Sequence, residues 1–309
     1  MIGNKANRIF IENKHCNEPL HNIERGDVSQ KLISVNYHLT NACNYQCRFC
    51  FARFPQSHKI LPLKKAKKLV TQLSMHGTKK ITFVGGEPLL YPQLGELIRY
   101  TKNYNITTMI ITNGSLLDCV YLELYEKYID WIGFSLDSSI DVVNDTLGRR
   151  LKNSRKQNLT HIQRVRSLVP TVKNLGINVK INTVVTSLNW QEDMNWLIKE
   201  LKPDRWKVFQ VLKIDGENDR DISPLLITPR QFQHFIFRHQ NCNPNKESND
   251  AMMGSYIMID PLGRFFDNTN GYLTFSRPIL EVGVEKAFSD IQFSLKKFYQ
   301  RGGHYNWDT

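Results

Sequence analysis

Two rhythms of apolar and polar residues run along this chain. Segments 32–39 (LISVNYHL), 80–84 (KITFV), 106–112 (ITTMIIT), 131–137 (WIGFSLD), 177–185 (INVKINTVV) and 205–212 (RWKVFQVL) are short, β-branched and partly alternating, which predicts strands. Between them, 63–77, 91–104, 116–128, 155–170 and 189–201 place apolar residues at helical spacing, the first ending at Gly77. Strands alternating with helices predict βαβ units and a parallel sheet. Six such strands are too few for a closed eight-strand barrel. The expected fold class is therefore α/β, a partial (βα)6 TIM-type barrel with a C-terminal α/β extension closing the barrel. In that extension, 228–240 predicts a helix with Thr228 as N-cap and Pro229 at its first position. Segment 255–266 predicts a hairpin turning at Asp260-Pro261-Leu262-Gly263, and 276–303 carries two short helices. Segments 214–225 and 241–254 read only as loops. The chain divides into an N-terminal arm (1–30), a barrel core (31–213) and the extension (214–309).

The strands carry a second message on their polar faces. Ile177, Val179 and Ile181 oppose Asn178, Lys180 and Asn182; Ile132, Phe134 and Leu136 oppose Gly133, Ser135 and Asp137; Ile33, Val35 and Tyr37 oppose Ser34, Asn36 and His38. Parallel strands covered on both faces are ordinarily apolar throughout. Half-polar strands predict a lumen that holds a polar ligand.

Charge sharpens that picture. The formal net charge is +12 over 309 residues, which points to an anionic partner such as nucleic acid, a phosphate ligand or an acidic membrane surface. Charged residues at 23% and apolar residues at 41% exclude a disordered or collagen-like chain. No apolar run is long enough to span a bilayer, and the N-terminus lacks the apolar region of a secretory signal, so a cytoplasmic protein off the membrane is expected.

Of the six cysteines, Cys43, Cys47 and Cys50 crowd into one C-x3-C-x2-C string directly after the first strand. That is where α/β barrels keep their chemistry. Three soft thiolates suit one metal centre; an iron–sulfur cube takes four ligands, so three leave one iron open. The competing reading is zinc, with His38 or His58 as fourth ligand. Cys16, Cys119 and Cys242 are isolated and not expected as ligands, and Cys119, in an apolar helical pattern, is expected in the core.

The cysteine string, with Phe49 before its third thiol, resembles the radical S-adenosylmethionine superfamily. That resemblance implies a [4Fe–4S] cluster on the three cysteines, with S-adenosylmethionine chelated at the open iron and cleaved to a 5′-deoxyadenosyl radical. It assigns Gly85, Gly86 and Glu87 to the methionine amine. It also places Asn113 and Ser115 after the third strand, Ser135 in the fourth and Arg149 beyond it, where such enzymes contact this cofactor. Read alone, GGEP is equally a plain turn, and a strand-end cap is the alternative for each polar residue.

Longer strings resemble the viperin family over about 33–307. They include Ser34-Val35-Asn36-Tyr37-His38, Lys180-Ile181-Asn182, Arg205-Trp206-Lys207-Val208-Phe209-Gln210, Glu247-Ser248-Asn249, Val282-Gly283-Val284-Glu285 and Arg301-Gly302-Gly303. Lacking the amphipathic N-terminal helix of animal members, the chain is similar to the soluble prokaryotic ones. The resemblance implies a ribonucleoside triphosphate substrate (CTP foremost, then UTP or GTP) converted to its 3′-deoxy-3′,4′-didehydro form, an antiviral chain terminator. It places Lys180, Arg205, Lys207 and Arg301 on the triphosphate, Asn36 and His38 near ribose or cofactor, and Tyr256 as proton donor. The residue-level alternatives are surface charge for the cations, a core histidine and a packed tyrosine. Animal members carry a lysine where this chain reads Gly271-Tyr272-Leu273-Thr274, so that one phosphate contact is expected either to be missing or to be replaced by Arg277. A monomer is expected, served by an unidentified electron donor, with no stable nucleic-acid partner. Rival readings are a radical enzyme acting on RNA or peptide, and a non-catalytic zinc-stabilised nucleic-acid-binding module.

Overall fold

All six core strands form within two residues of their expected limits: β1 (Ser34–His38), β2 (Lys80–Val84), β3 (Thr107–Thr112), β4 (Trp131–Ser135), β5 (Asn178–Val185) and β6 (Arg205–Gln210). They pair in parallel, each with the next in sequence. The computed structural model describes residues 32–55, 59–152 and 159–307; the expected arm, 1–30, and His58 lie outside these. The helices of the core are α1 (Leu63–Met75), α2 (Leu94–Lys102), α3 (Cys119–Tyr125), α4 (Asp141–Thr146), α5 (His161–Asn174) and α6 (Asn195–Leu201). α4 had no clear periodic signal because it spans little more than one turn. α5 begins where Thr160 and Gln163 close a reciprocal capping box, so its start lies beyond the expected residue 155.

In the extension, α7 (Asp219–Ile222) precedes α8 (Pro229–Arg238), which is capped by Thr228 as its sequence predicts. Strand β7 (Asn245–Glu247) and helix α9 (Asn249–Met252) follow. The hairpin is β8 (Ile257–Ile259) and β9 (Arg264–Asp267), joined to β10 (Thr274–Pro278). Three helices close the chain: α10 (Ile279–Val282), α11 (Val284–Phe288) and α12 (Leu295–Gln300).

The extension does more than cap the core. The sheet order is β10-β9-β8-β1-β2-β3-β4-β5-β6-β7. β7 adds in parallel to β6, and β8 adds in parallel to β1, so the extension lengthens both edges of the six-strand core. Both additions are three residues long, too short for a periodicity to show. No ladder joins β7 to β8 among the described residues, but the sheet curls until they meet: Tyr256, just before β8, donates its hydroxyl to Glu247, the last residue of β7.

Alternation then sorts the side chains. Val35, Tyr37, Ile132, Phe134, Leu136, Val179 and Ile181 pack outward in the main core beneath the helices. Their neighbours face the lumen. Ile33 departs from its expected face: it precedes β1 and packs with Met109, Trp131, Phe298 and Trp307 at the N-terminal end of the barrel. That plug is completed by the C-terminal tail, where Trp131 Nε1 donates to the Trp307 carbonyl at 3.2 Å.

Candidate active site

At the C-terminal ends of the strands, the cysteine loop is gripped from two sides. On one, the Gly86 amide donates to the Thr40 carbonyl at 2.6 Å and the Glu87 amide to the Ala42 carbonyl at 2.8 Å. A Cβ on Gly86 would stand 2.1 Å from the Ala42 oxygen. The close approach these glycines permit is thus to the cysteine loop's own backbone, not only to a ligand. On the other side, 147–152 runs beside 44–48, with Gln46 N donating to Gly148 O, Arg48 N to Leu147 O and Lys152 N to Asn44 O. Gly148 has φ +78°, and a Cβ there would meet Gln46 O at 2.1 Å. Asn218 Nδ2 donates to the Phe49 carbonyl at 3.1 Å, and Glu217 accepts the Arg53 and Phe54 amides. The 147–152 grip has no sequence signature, because it is made of long-range backbone contacts.

Cys43, Cys47 and Cys50 are half-exposed on this loop; Cys119, expected in the core, is instead exposed at the first position of α3, Cys242 lies beyond α8, and Cys16 lies outside the described residues. Burial pushes all three loop thiols up, Cys47 to about 12; Cys43 also feels the charge of Cys50, and Cys47 that of Cys50 and Cys43. Arg149 pulls all three back down. Its guanidinium is buried, bonded to buried Asp137 at 2.6 Å and stacked over Phe49 at 5.5 Å. Burial opposes the Arg149 charge, but Asp137 holds its pKa above the ordinary value. No three Cys, His, Asp or Glu side chains are drawn together as a ready metal site among the described residues. The donor set nevertheless fits a thiolate-bound cluster: three neighbouring soft sulfurs on one loop, with a fixed cation beside them.

Glu87 lies beneath this loop, buried, taking hydrogen bonds from Thr112 Oγ1 at 2.6 Å and the Asn113 amide at 2.9 Å. Burial raises its pKa to about 6 against those donors. Asn113 donates to Asn44 Oδ1 and receives the Ser115 amide, while Asn44 donates to Ser115 Oγ. Asn113 and Ser115 thus tie the end of β3 to the cysteine loop. Ser135 enters through its carbonyl, which binds His161 Nε2 at 2.7 Å; the ring's Nδ1 meets the Tyr45 hydroxyl at 3.2 Å. Burial holds His161 near 3, so it is neutral. Gly85, Gly86, Glu87, Asn113, Ser115, Ser135 and Arg149 therefore gather around one loop.

Deeper in the lumen, cations collect. Lys80, Lys180, Lys207 and Arg301 are buried and Arg205 is half-buried, against one buried carboxylate, Glu247. Lys207 forms an ion pair with Glu247, and Arg301 bonds it at 3.2 Å while also donating to the Ser255 carbonyl. Lys207 further donates to the Tyr256 hydroxyl at 2.8 Å, and Arg301 lies over the Tyr256 ring at 3.6 Å. Burial opposes the Glu247 charge, yet Lys207 and Arg301 hold it below the usual carboxylate range. Arg205 stacks on Tyr305 at 3.8 Å and donates to the Gly302 carbonyl. Lys80 donates to the Tyr305 hydroxyl at 3.1 Å. Lys180 has no hydrogen-bond or ion-pair partner among the described residues. Burial, then Arg205, pushes its pKa down to about 7. Formal charge here is +5 against −1, which a polyanion of four negative charges would balance.

Asn36 is half-buried on β1, and Asn182 on β5 has a buried Oδ1 without a partner. His38 is enclosed by Phe54 and Phe266, each 5.3 Å away, and by Phe51. Burial lowers its pKa to about 3, and its Nδ1 has no partner. Arg277 does not replace the missing lysine: it is exposed and committed to Asp290 at 2.8 Å, while Leu273 packs against the Phe54–Phe266 cluster. Lys80, Glu247 and Tyr305 are the residues sequence reasoning missed. Lys80 was visible as the first lumen-facing residue of KITFV, because Lys80, Thr82 and Val84 alternate with Ile81 and Phe83.

No described helix is long and apolar enough to cross a membrane. A family model described as the Radical SAM superfamily matches residues 37–197. A protein of Flammeovirga pacifica named S-adenosylmethionine-dependent nucleotide dehydratase is 44% identical over 284 residues, covering 89% of this chain and 96% of that one. The S-adenosylmethionine-dependent nucleotide dehydratase RSAD2 of Oncorhynchus mykiss is 39% identical over 285 residues, covering 89% and 80%. Among solved structures, native anSMEcpe with bound AdoMet and Kp18Cys peptide aligns at a TM-score of 0.64 over 87% of this chain and 82% of that one. Its identity is only 16%, so that likeness concerns the fold.

Proposed function

Because this chain belongs to the radical SAM superfamily and, within it, to the S-adenosylmethionine-dependent nucleotide dehydratases, we propose that it dehydrates a ribonucleoside triphosphate, CTP foremost, to the 3′-deoxy-3′,4′-didehydro nucleotide. The supporting observation is the lumen: buried like charges are costly, and this chain keeps an excess of cationic side chains there, which a bound anion would hold in their charged form. A nucleic-acid-binding module would display such charge outward. Membership of an enzyme family also replaces the reading of a non-catalytic zinc module.

Cys43, Cys47 and Cys50 would hold a [4Fe–4S] cluster, which with bound S-adenosylmethionine supplies the 5′-deoxyadenosyl radical that removes the ribose 4′ hydrogen. Overall, nucleotide, S-adenosylmethionine, two electrons and one proton give the dehydrated nucleotide, water, methionine and 5′-deoxyadenosine. Arg149 favours the thiolate form of the cysteines. The glycine approach at Gly85 and Gly86, with Glu87, Asn113 and Ser115, fixes the loop edge that faces the cofactor. Lys180, Arg205, Lys207 and Arg301, joined by Lys80, hold the phosphates, the arginines as forks and the lysines as point charges. Asn36 and His38 line the ribose side. Tyr256 donates the proton that leaves with the 3′-hydroxyl. Burial raises the phenol's pKa well above its ordinary value, so it is protonated, and Lys207 and Glu247 both engage it, so the proton can be replaced.

The test is anaerobic reconstitution with iron and sulfide, chemical reduction, and supply of S-adenosylmethionine with each of the four nucleoside triphosphates. CTP should raise 5′-deoxyadenosine and yield a nucleotide lighter by one water. No rise above background with any of the four would refute the proposal.

A further inference from the structure

Each turnover of the proposed reaction consumes two electrons that neither nucleotide nor S-adenosylmethionine carries. A reductant must therefore reach the cysteine loop, and the distribution of charge around that loop is lopsided. Between Asp145 and Glu192 the sequence holds no Asp or Glu, but it holds Arg149, Arg150, Lys152, Arg155, Lys156, Arg164, Arg166, Lys173 and Lys180. The structure lays the start of this stretch, 147–152, directly along 44–48. Arg150 and Lys152 are exposed there, and among the described residues their side chains have no hydrogen bond or ion pair. Arg48, on the loop itself, reaches only the Thr146 carbonyl at 3.5 Å. Arg164 of α5 is half-buried with its Nε unpartnered, near enough to Tyr45 for its charge to be felt there. Across the loop the arrangement is different. Arg53 pairs with Asp221 at 3.1 Å, and Lys213 with Asp215 at 2.6 Å and Asp219 at 3.8 Å. Cations on that side are matched; along 147–152 buried Arg149 is matched by Asp137, but the exposed Arg150 and Lys152 are not, among the described residues. Exposed Ile140 and Val142 adjoin the unmatched cations through α4, giving the face an apolar element.

We propose that this face, centred on Arg48, Arg150, Lys152 and Arg164, docks a small acidic electron-transfer protein that delivers the reducing electrons one at a time. The inference rests on the proposed reaction, which sets the demand for electrons, and on charge complementarity, which names the partner's chemistry. Complementary charge at an interface raises the association rate and fixes orientation, and salt weakens both.

An acidic flavodoxin serves as the probe. Its affinity for the intact chain is measured across a salt series for the wild type, Arg150→Glu/Lys152→Glu and Arg150→Gln/Lys152→Gln. A fourth protein, Lys64→Glu/Lys65→Glu, makes the same charge change on the exposed face of α1. The expected result is about tenfold weaker binding at low salt for the first double variant, an intermediate loss for the neutral one, and wild-type affinity for the α1 control. Dithionite-driven product formation should be equal in all four, because a chemical reductant needs no docking. An equal loss in the α1 control would show that net charge acts without a docking face, and would overturn the proposal. So would unchanged binding in both Arg150/Lys152 variants, or retention of a single-stranded oligonucleotide, instead of flavodoxin, by these residues. If dithionite gives no dehydrated nucleotide even in the wild type, the proposed reaction fails, while the binding series still reads the docking face independently.

Discussion

Lys180→Met separates ligand binding from folding. Lys180 is buried without a hydrogen-bond or ion-pair partner among the described residues, and burial together with Arg205 depresses its pKa to about 7 from the ordinary lysine value of 10.5. Its folded state therefore binds fewer protons than the unfolded chain between those two values, and stability rises with pH through that window. At pH 6 the cost of keeping the charge is fully present, about 5 kcal/mol; by pH 9 it falls to about 2 kcal/mol, since one pKa unit is worth about 1.4 kcal/mol. Methionine has a similar length and no charge. The unliganded variant should thus be more stable than wild type in urea unfolding at pH 6, by up to that ceiling, and the advantage should shrink at pH 9. Lys80, whose pKa burial also lowers, keeps some of the wild-type slope in the variant. The same substitution removes the proposed charged contact to phosphate, worth about 1.5–3 kcal/mol, so KM for the nucleotide should rise about 10- to 100-fold. A variant less stable than wild type at pH 6, with KM unchanged, would refute the reasoning and make Lys180 an ordinary structural lysine.

Three further outcomes follow from the geometry. Gly86→Ala places a Cβ 2.1 Å from the Ala42 oxygen, so the cysteine loop must shift; the reconstituted protein should lose its brown visible absorbance, whereas Cys119→Ala should keep it. Arg149→Gln leaves Asp137 buried without its ion-pair partner, costing about 3–5 kcal/mol, read as a lowered Tm. Trp307→Ala opens the N-terminal plug of the barrel, where Trp307 is only 2% exposed, and should destabilise by about 3–5 kcal/mol in denaturant unfolding.

The six core strands were legible because each alternates a helix-facing apolar residue with a lumen-facing one, and because Gly and Pro punctuate the gaps. The same alternation put Lys180, Asn182, Arg205 and Lys207 on one wall. β7 and β8 were not legible as edge strands: three residues carry no period, and their neighbours are set by the curl of the whole sheet. Asp137 and Glu247 escaped notice as partners for the same reason. An acid is informative only once the cation it meets is known, and Glu247 meets Lys207 and Arg301 from 40 and 54 positions away. The aromatic enclosure of His38 likewise draws Phe266 from the far end of the chain.

The break between β7 and β8 has a mechanical consequence. There, among the described residues, no backbone ladder closes the wall; α9 carries the chain across, and side chains fasten the two strands: Tyr256 and Arg301 on one bank, Glu247 on the other, Lys207 between them. A phosphate group entering this spot competes with Glu247 for the same two cations. Occupancy thus trades one set of fasteners for another, and the chain's grip on its cargo is drawn from the bolts that keep its own hull shut.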